Sequence, residues 1–155
     1  MSHIAQYQSQ LSGVNEEILK AAAKFVAEQI GGKLSDTIDG YDEGNGRHSP
    51  DGQKFLVAIR TSKLPQGLAI VVNDGRVKYF CDRICHAERA TNLVRNSKFH
   101  ELAKEGEAEF KEITSQVEKT YRVLAVTRAL NNLGYRVNAK SAEGGTVLTG
   151  KKETA

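Results

Sequence analysis

Residues 55–82 read FLVAIRTSKLPQGLAIVVNDGRVKYFCD, and this run is the densest apolar and β-branched stretch of the chain. It predicts strands at residues 55–61, 68–73 and 76–82, because such side chains favour a pleated, half-buried surface. Asp74-Gly75 separates the last two strands, and an Asp-Gly pair tolerates the two positive φ angles of a type I′ hairpin turn. The run therefore predicts the centre of an antiparallel sheet.

Alternation along these strands gives the sheet two faces. We expect helices to cover the first face, which carries Phe55, Val57, Ile59, Leu68, Ile70, Val72, Val77, Tyr79 and Cys81. The second face carries both polar and apolar side chains. It is nevertheless more apolar than expected if helices cover only the first face. Its apolar members, Leu56, Ala58, Val71 and Phe80, are the predicted interaction face.

An amphipathic helix is predicted before this run. Asn15 suits its N-cap, and Gly31-Gly32 suits its end. One helical face carries the apolar side chains Ile18, Leu19, Ala22, Phe25, Val26 and Ile30. This pattern indicates a helix with one buried stripe.

A longer helical pattern follows the run. A short stripe begins near Ala87, and Gly106 weakens its continuity with the main helix. The main apolar stripe consists of Phe110, Ile113, Val117, Tyr121 and Leu124, extended by Leu130 and Leu133. Gly134 lies where a left-handed C-cap belongs, so the helix is expected to end there.

Weaker patterns predict an edge strand at residues 4–10, a poor strand at 33–41 and a hairpin at 135–141 and 146–151. Residues 42–53 hold three glycines and one proline and predict a loop. The resulting order, β-α-β-β-β-β-α-β-β, predicts an α+β fold with a largely antiparallel sheet and two main helices packed on one face. We expect a single domain over residues 1–150 and a frayed tail at 151–155.

Composition narrows the class of protein. The chain has 155 residues, of which 39% are hydrophobic and 26% charged, as is usual for one globular domain. No run approaches the ~18 apolar residues of a membrane span, and the N-terminal residues lack a secretory pattern. Two cysteines are too few for a disulfide framework, so we expect a reducing, cytoplasmic compartment. Because no apolar run is long enough to span a membrane, we also expect no membrane partner.

Several features together resemble a known family. They are the opening Met1-Ser2-His3 before a strand and a helix, the hairpin of residues 67–82, and the stretch EKTYRVLAVTRALNNLGYRV followed by EGGTVLTGKK. They resemble the hypothetical chloroplast reading frame thirty-five family, which occurs in plastids and cyanobacteria. The resemblance implies no established activity, and it adds the plastid stroma as an alternative compartment.

Cys81, Cys85 and His86 lie within six residues and are the most suggestive local chemistry. Two thiols and an imidazole are zinc ligands, and His3, His48 or His100 could complete a tetrahedral site. However, structural zinc sites usually have a second cysteine pair, and this chain has none. A metal site or enzyme centred here is the third hypothesis, and we expect no metal or other cofactor.

Catalytic signatures are weak throughout the chain. Cys85 and His86 are sequence neighbours, which rarely lets an imidazole reach the thiol that it must activate. Gly44-Asn45-Gly46 precedes no Lys-Ser/Thr pair, and Gly144-Gly145 precedes a predicted strand, so neither is a phosphate-binding loop. We predict no catalytic residue.

A basic group is the remaining signal. It includes Arg60, Lys63, Arg76, Lys78 and Arg83. On a sheet with an exposed aromatic ring, these side chains would suit the phosphates of RNA or single-stranded DNA, although lysine and arginine are also common on edge strands for solubility.

The sequence favours a small non-enzymatic interaction module that docks to a protein partner or to itself. This hypothesis depends on the apolar second face of the sheet. Binding of RNA or single-stranded DNA through the basic strands is the alternative.

Overall fold

A computed structural model describes residues 4–37, 52–64, 66–82, 97–142 and 145–152. Within these ranges the element order is the predicted one, with two helices and seven strands. The elements are β1 (Ile4–Gln8), α1 (Glu16–Gln29), β2 (Lys33–Ser35), β3 (Val57–Arg60), β4 (Leu68–Asn73), β5 (Arg76–Asp82), α2 (Ser97–Asn132), β6 (Tyr135–Ala142) and β7 (Gly145–Lys152). Residues 42–51 of the loop predicted at 42–53 and the helical stripe near Ala87 lie outside the described residues.

The strands form two antiparallel sheets. The main sheet has five strands in the order β1-β5-β4-β3-β2, and β6 and β7 form a separate two-stranded sheet. The predicted α+β class is confirmed. β1 is added beside β5 rather than beside its neighbour in sequence, so it forms one edge of the main sheet.

The turn between β4 and β5 confirms the Asp-Gly prediction. Asp74 has φ 51° and Gly75 has φ 74°, which are the two positive angles of a type I′ turn. The turn also contacts the chain between β1 and α1, because the backbone N–H of Val14 donates to the Gly75 carbonyl at 3.0 Å. The central hairpin is thereby fixed to the start of α1.

α1 begins as predicted and buries a narrower stripe than expected. The Asn15 side chain accepts a hydrogen bond from the Ile18 backbone N–H at 3.1 Å. The buried residues of this helix are Leu19, Ala22, Ala23, Val26 and Ala27. The prediction that Phe25 and Ile30 belong to the buried stripe is wrong, since they are 48% and 38% exposed; the small alanine side chains let the helix lie close to the sheet.

α2 is one continuous helix of 36 residues, about 54 Å long at 1.5 Å per residue. Its predicted stripe is confirmed, with Phe110, Ile113, Val117 and Tyr121 buried against the sheet and α1. The expected weakness at Gly106 is not observed, because a glycine costs only about 1 kcal/mol in a helix and this one is buried. Leu133 is 69% exposed and does not extend the core.

Both faces of the main sheet are buried. The helix-side cluster joins α1 and α2 to the sheet through Val57, Ile59, Leu68, Ile70, Val77, Tyr79 and Cys81. A second cluster on the other face consists of Phe55, Ala58, Ala69, Val71 and Phe80, and among the residues with described side chains it includes none from either helix.

The predicted sides of Phe55 and Leu56 are wrong. Leu56 packs against the helix-side cluster, and Phe55 belongs to the second cluster. Both residues precede β3, and the Leu56 N–H donates to the Ile70 carbonyl although Ile70 pairs with Val57 in register. The regular alternation of sides therefore starts only at Val57.

The C-terminal hairpin is longer than predicted. Lys151 and Lys152 pair with Arg136 and Tyr135, so these two residues belong to β7 and not to a frayed tail. The hairpin packs on the C-terminal part of α2, where Leu130 lies beside Gly150. A two-stranded sheet is marginal alone in water, so this contact supports it.

Substitution of Gly75 tests the docking of the β4–β5 turn. A Cβ atom there would lie 3.0 Å from both Cα and N of Gly13, whereas a Cβ at Gly134, which also has a positive φ, meets nothing within 4 Å. We expect Gly134→Ala to cost about 1–2 kcal/mol for the left-handed backbone alone and Gly75→Ala to cost distinctly more. Urea unfolding measures both, and equal losses would contradict this account of the turn.

Candidate functional site: a groove between the first strand and the long helix

An open groove of about 650 Å³ lies between β1 and α2. Its volume is within the usual range for ligand sites, roughly 300–1,000 Å³. Its lining residues are Gln6 and Tyr7 of β1, Cys81 of β5, and Glu107, Phe110, Lys111, Thr114, Ser115, Glu118, Lys119 and Arg122 of α2. The α2 members recur every three or four residues, so one helical face forms a wall of the groove.

The strand wall presents an unpaired edge. β1 pairs with β5, and in the described part of the chain no strand lies on its other side. The Ser9 N–H donates to the Val77 carbonyl at 2.9 Å. In an antiparallel pair the inward-pointing residues alternate, so the backbone groups of Tyr7 point toward β5 and those of Gln6 and Gln8 point outward.

Gln6, Tyr7 and Gln8 are all exposed. Gln6 shares the sheet face of Phe80 by register, yet it lines the groove on the other side. Because the Gln6 side chain lies on the Phe80 face, we attribute its contact with the groove to its outward backbone. The groove therefore includes backbone hydrogen-bonding groups of a sheet edge.

The helical wall carries most of the charge of the groove. Lys111, Lys119 and Arg122 are exposed, whereas Glu107 is half-buried and Glu118 is buried. The accessible charges are thus mainly positive.

Glu118 and Ser9 connect the two walls. The Ser9 hydroxyl donates to Oε1 of Glu118 in a buried hydrogen bond and accepts one from the Leu11 N–H at 3.0 Å. One turn further along α2, the Tyr121 hydroxyl accepts from the Asn15 N–H at 3.1 Å. These two contacts fix the segment between β1 and α1 to the long helix, and so set the position of β1 relative to α2.

Tyr79 lies behind the strand wall. Its side chain is fully buried, and its ring stacks on that of Tyr7 with centroids 5.8 Å apart and an interplanar angle of 27°. Among the described residues its hydroxyl has no hydrogen-bond partner. Burial raises the pKa of Tyr79 far above its usual value, the Glu118 carboxylate and Tyr7 raise it further, and Arg122 opposes the shift. The hydroxyl therefore stays protonated.

The cysteine and histidine cluster is only partly described. Cys81 is buried in the helix-side cluster and borders the groove. Cys85 and His86 lie outside the described residues. Within the described ranges no group of three or more His, Cys, Asp or Glu side chains is placed to hold a metal ion, and the expectation of no metal stays a prediction.

The basic residues predicted to bind nucleic acid do not form one patch. Arg60, at the end of β3, donates to the carbonyl and hydroxyl oxygens of Thr37 at 2.9 and 3.0 Å. Lys63 is exposed in the loop that follows β3, whereas Arg76 begins β5 at the other end of the sheet. Lys78 is half-buried on β5. Arg83 lies outside the described residues.

The residues of the predicted interaction face are not exposed. Ala58, Val71 and Phe80 are at most 3% exposed in the folded chain, and Leu56 packs on the helix side. We therefore place no docking surface on this face.

The groove was not predicted from the sequence. Ser9 and Glu118 are 109 positions apart, and neither residue has a local signal for its partner. One available signal was Glu118 itself, a carboxylate next to Val117 in the buried stripe.

Comparison with known proteins gives no further assignment: the chain matches no family model, no curated protein and no solved structure. The resemblance to the chloroplast reading frame family stays a prediction. Within the described ranges, neither helix combines the length and apolar character needed to cross a membrane.

Tyr79→Phe tests the electrostatics beside the groove. An unfolded tyrosine ionises near pH ~10, whereas the buried Tyr79 resists ionisation. Above that pH the folded state holds a proton that the unfolded state has lost, so stability falls by up to about 1.4 kcal/mol per pH unit. We expect Tyr79→Phe to reduce this loss above pH ~10.

At neutral pH the same substitution should be neutral or stabilising, because it removes a buried hydroxyl without a partner. Tyr121→Phe is the matched control and should cost about 1 kcal/mol, since the Tyr121 hydroxyl accepts a hydrogen bond. Urea unfolding at pH 7 and at pH 9–11 measures both effects. A Tyr79→Phe variant as pH-sensitive as the original chain would show that Tyr79 is not protected from ionisation.

Proposed function

We propose that the protein is a small non-enzymatic interaction module that binds an extended segment of a partner protein. The segment adds to the main sheet as a sixth strand beside β1. The observation that carries this proposal is the outward-facing backbone of Gln6 and Gln8 on the outer edge of β1, where Gln6 borders an open groove. Exposed sheet edges bind peptides in this way in several families of recognition domains.

Main-chain hydrogen bonds supply the common part of the affinity. The N–H and C=O groups of Gln6 and Gln8 pair with the peptide backbone, whatever the peptide sequence. Every second side chain of the added strand then points toward α2, because side chains alternate along a strand. The groove volume of about 650 Å³ accommodates those side chains.

The helical wall supplies the selectivity. Three exposed cations, Lys111, Lys119 and Arg122, line it. The Glu118 carboxylate is buried against Ser9 and contributes little accessible negative charge. Charge complementarity therefore favours a segment with aspartate or glutamate at the positions that face α2.

The fixed position of β1 relative to α2 supports specificity. A wall that moved relative to the strand would admit many side chains, whereas the Ser9–Glu118 and Asn15–Tyr121 hydrogen bonds hold the two walls together. Ordering the site before binding lowers the entropic cost of association.

Gln6→Pro tests the added-strand mechanism. Proline at this position removes an N–H that points away from β5, so it leaves the β1–β5 ladder intact. Peptides of 12 residues selected from a random display library are the probe, and their affinity is measured by fluorescence polarisation. We expect Gln6→Pro to weaken binding at least about tenfold and to leave the melting temperature close to that of the original chain.

Gln6→Thr is the matched control, because it changes the same side chain and keeps the backbone N–H. It should bind within about twofold of the original affinity. Equal binding by the Gln6→Pro and original chains, or no enrichment of any peptide, would refute the added strand. A dimer that Gln6→Pro dissociates would instead assign this edge to a second copy of the chain.

Reversing charge on the helical wall tests the preference for acidic segments. Lys111→Glu combined with Lys119→Glu should weaken binding of selected acidic peptides about tenfold at low salt, and the effect should shrink as salt screens it. Lys20→Glu combined with Lys24→Glu makes the same net change on the exposed surface of α1. An equal loss in this control pair would show that net charge alone, and not the groove, attracts the peptide.

A further inference from the structure

The C-terminal part of the chain is strongly basic. Residues 119–152 include seven Lys and Arg residues and a single carboxylate, Glu143. The preceding residues 101–118 include six Glu. The net charge summed over the whole C-terminal third therefore hides this asymmetry. The positive charge is concentrated on the end of α2 and on the β6–β7 hairpin.

The hairpin has one face on α2 and one in solvent. Tyr135, Val137 and Leu148 are half-buried, and a Cβ at Gly150 would contact both Tyr135 and Leu130 of α2. The opposite face, here called the outer ribbon face, consists of the register pairs Arg136 with Lys151, Asn138 with Thr149, and Lys140 with Val147. All six residues are exposed.

The outer ribbon face is positive along its length. It carries Arg136, Lys140 and Lys151 together with the amide of Asn138 and the hydroxyl of Thr149. The described residues of β6 and β7 include no aspartate or glutamate. A face with cations and hydrogen-bonding side chains but no carboxylate is complementary to a polyanion.

The shape of this face selects among polyanions. A two-stranded ribbon fits the ~12 Å major groove of B-form DNA, and the deep, narrow major groove of double-stranded RNA excludes it. From Arg136 to Lys140 the strand advances about 13 Å, which is close to that groove width. Single strands bind mainly by stacking on aromatic rings, whereas the ribbon's one aromatic residue, Tyr135, lies on the helix-facing side.

We propose that the β6–β7 ribbon binds duplex DNA by placing its outer face in the major groove, with Arg136, Lys140 and Lys151 on phosphates. This site is separate from the proposed peptide groove, which depends on the backbone of β1. Phosphate contacts position a protein without selecting sequence, so the affinity is expected to depend weakly on base sequence and strongly on salt.

The test uses the full chain and a fluorescein-labelled 20-base-pair DNA duplex of mixed sequence. Anisotropy at several salt concentrations gives the affinity and its salt dependence. Lys140→Glu combined with Lys151→Glu should weaken binding at least about tenfold and lower the log–log salt slope by about 2, because each lost phosphate contact removes about 0.9 from it. The neutral pair, Lys140→Gln with Lys151→Gln, should show the same slope change with a smaller loss of affinity.

Lys20→Glu with Lys24→Glu is the control of equal net charge, and it should retain most of the affinity. Gln6→Pro should bind DNA like the original chain. The proposal is overturned if the control pair loses as much affinity as the ribbon pair, if the neutral ribbon pair keeps the original salt slope, or if no duplex binds at low salt. Tighter binding of a single strand or an RNA duplex at the same lysines would also overturn it.

Discussion

The fold depends on a central pair of strands, β4 and β5, whose side chains are buried on both faces of the sheet. Because β5 has β4 on one side, its other side is completed by β1 from the start of the chain. The Ser9–Glu118 hydrogen bond then fixes the chain after β1 to α2. This arrangement leaves β1 as a sheet edge next to the long helix, and the groove between them follows directly from that topology.

Much of the fold was predictable because its signals are local. The Asp74-Gly75 turn and the Asn15 cap each depend on residues within four positions, and the period of the α2 stripe is visible in the sequence alone. The errors occurred where tertiary contacts override a local pattern. Leu56 changes sides because the chain before β3 is irregular, and Leu133 is exposed because the core ends before the helix does.

The candidate sites were less predictable, since they depend on how distant segments meet. Arg60 and Arg76 belong to the same predicted basic group, but they lie at opposite ends of the sheet. The Arg60 guanidinium also donates a hydrogen bond to Thr37. The groove needs β1 and α2, which are separated by most of the chain. By contrast, the basic character of β6 and β7 is visible in the sequence. It is hidden only when the charges are summed over the whole C-terminal third, because that third also includes the six glutamates of residues 101–118.

The proposed peptide binding requires that the backbone of Gln6 and Gln8 be available at the edge of the sheet. Amide hydrogen exchange measured by NMR tests it residue by residue, first on the free protein and then with a selected peptide bound. The account predicts fast exchange at Gln6 and Gln8 beside slow exchange at Tyr7 and Ser9 in the free chain, and protection of Gln6 and Gln8 when the peptide binds. Protection of these two amides in the free protein, or unchanged exchange in the complex, would contradict it.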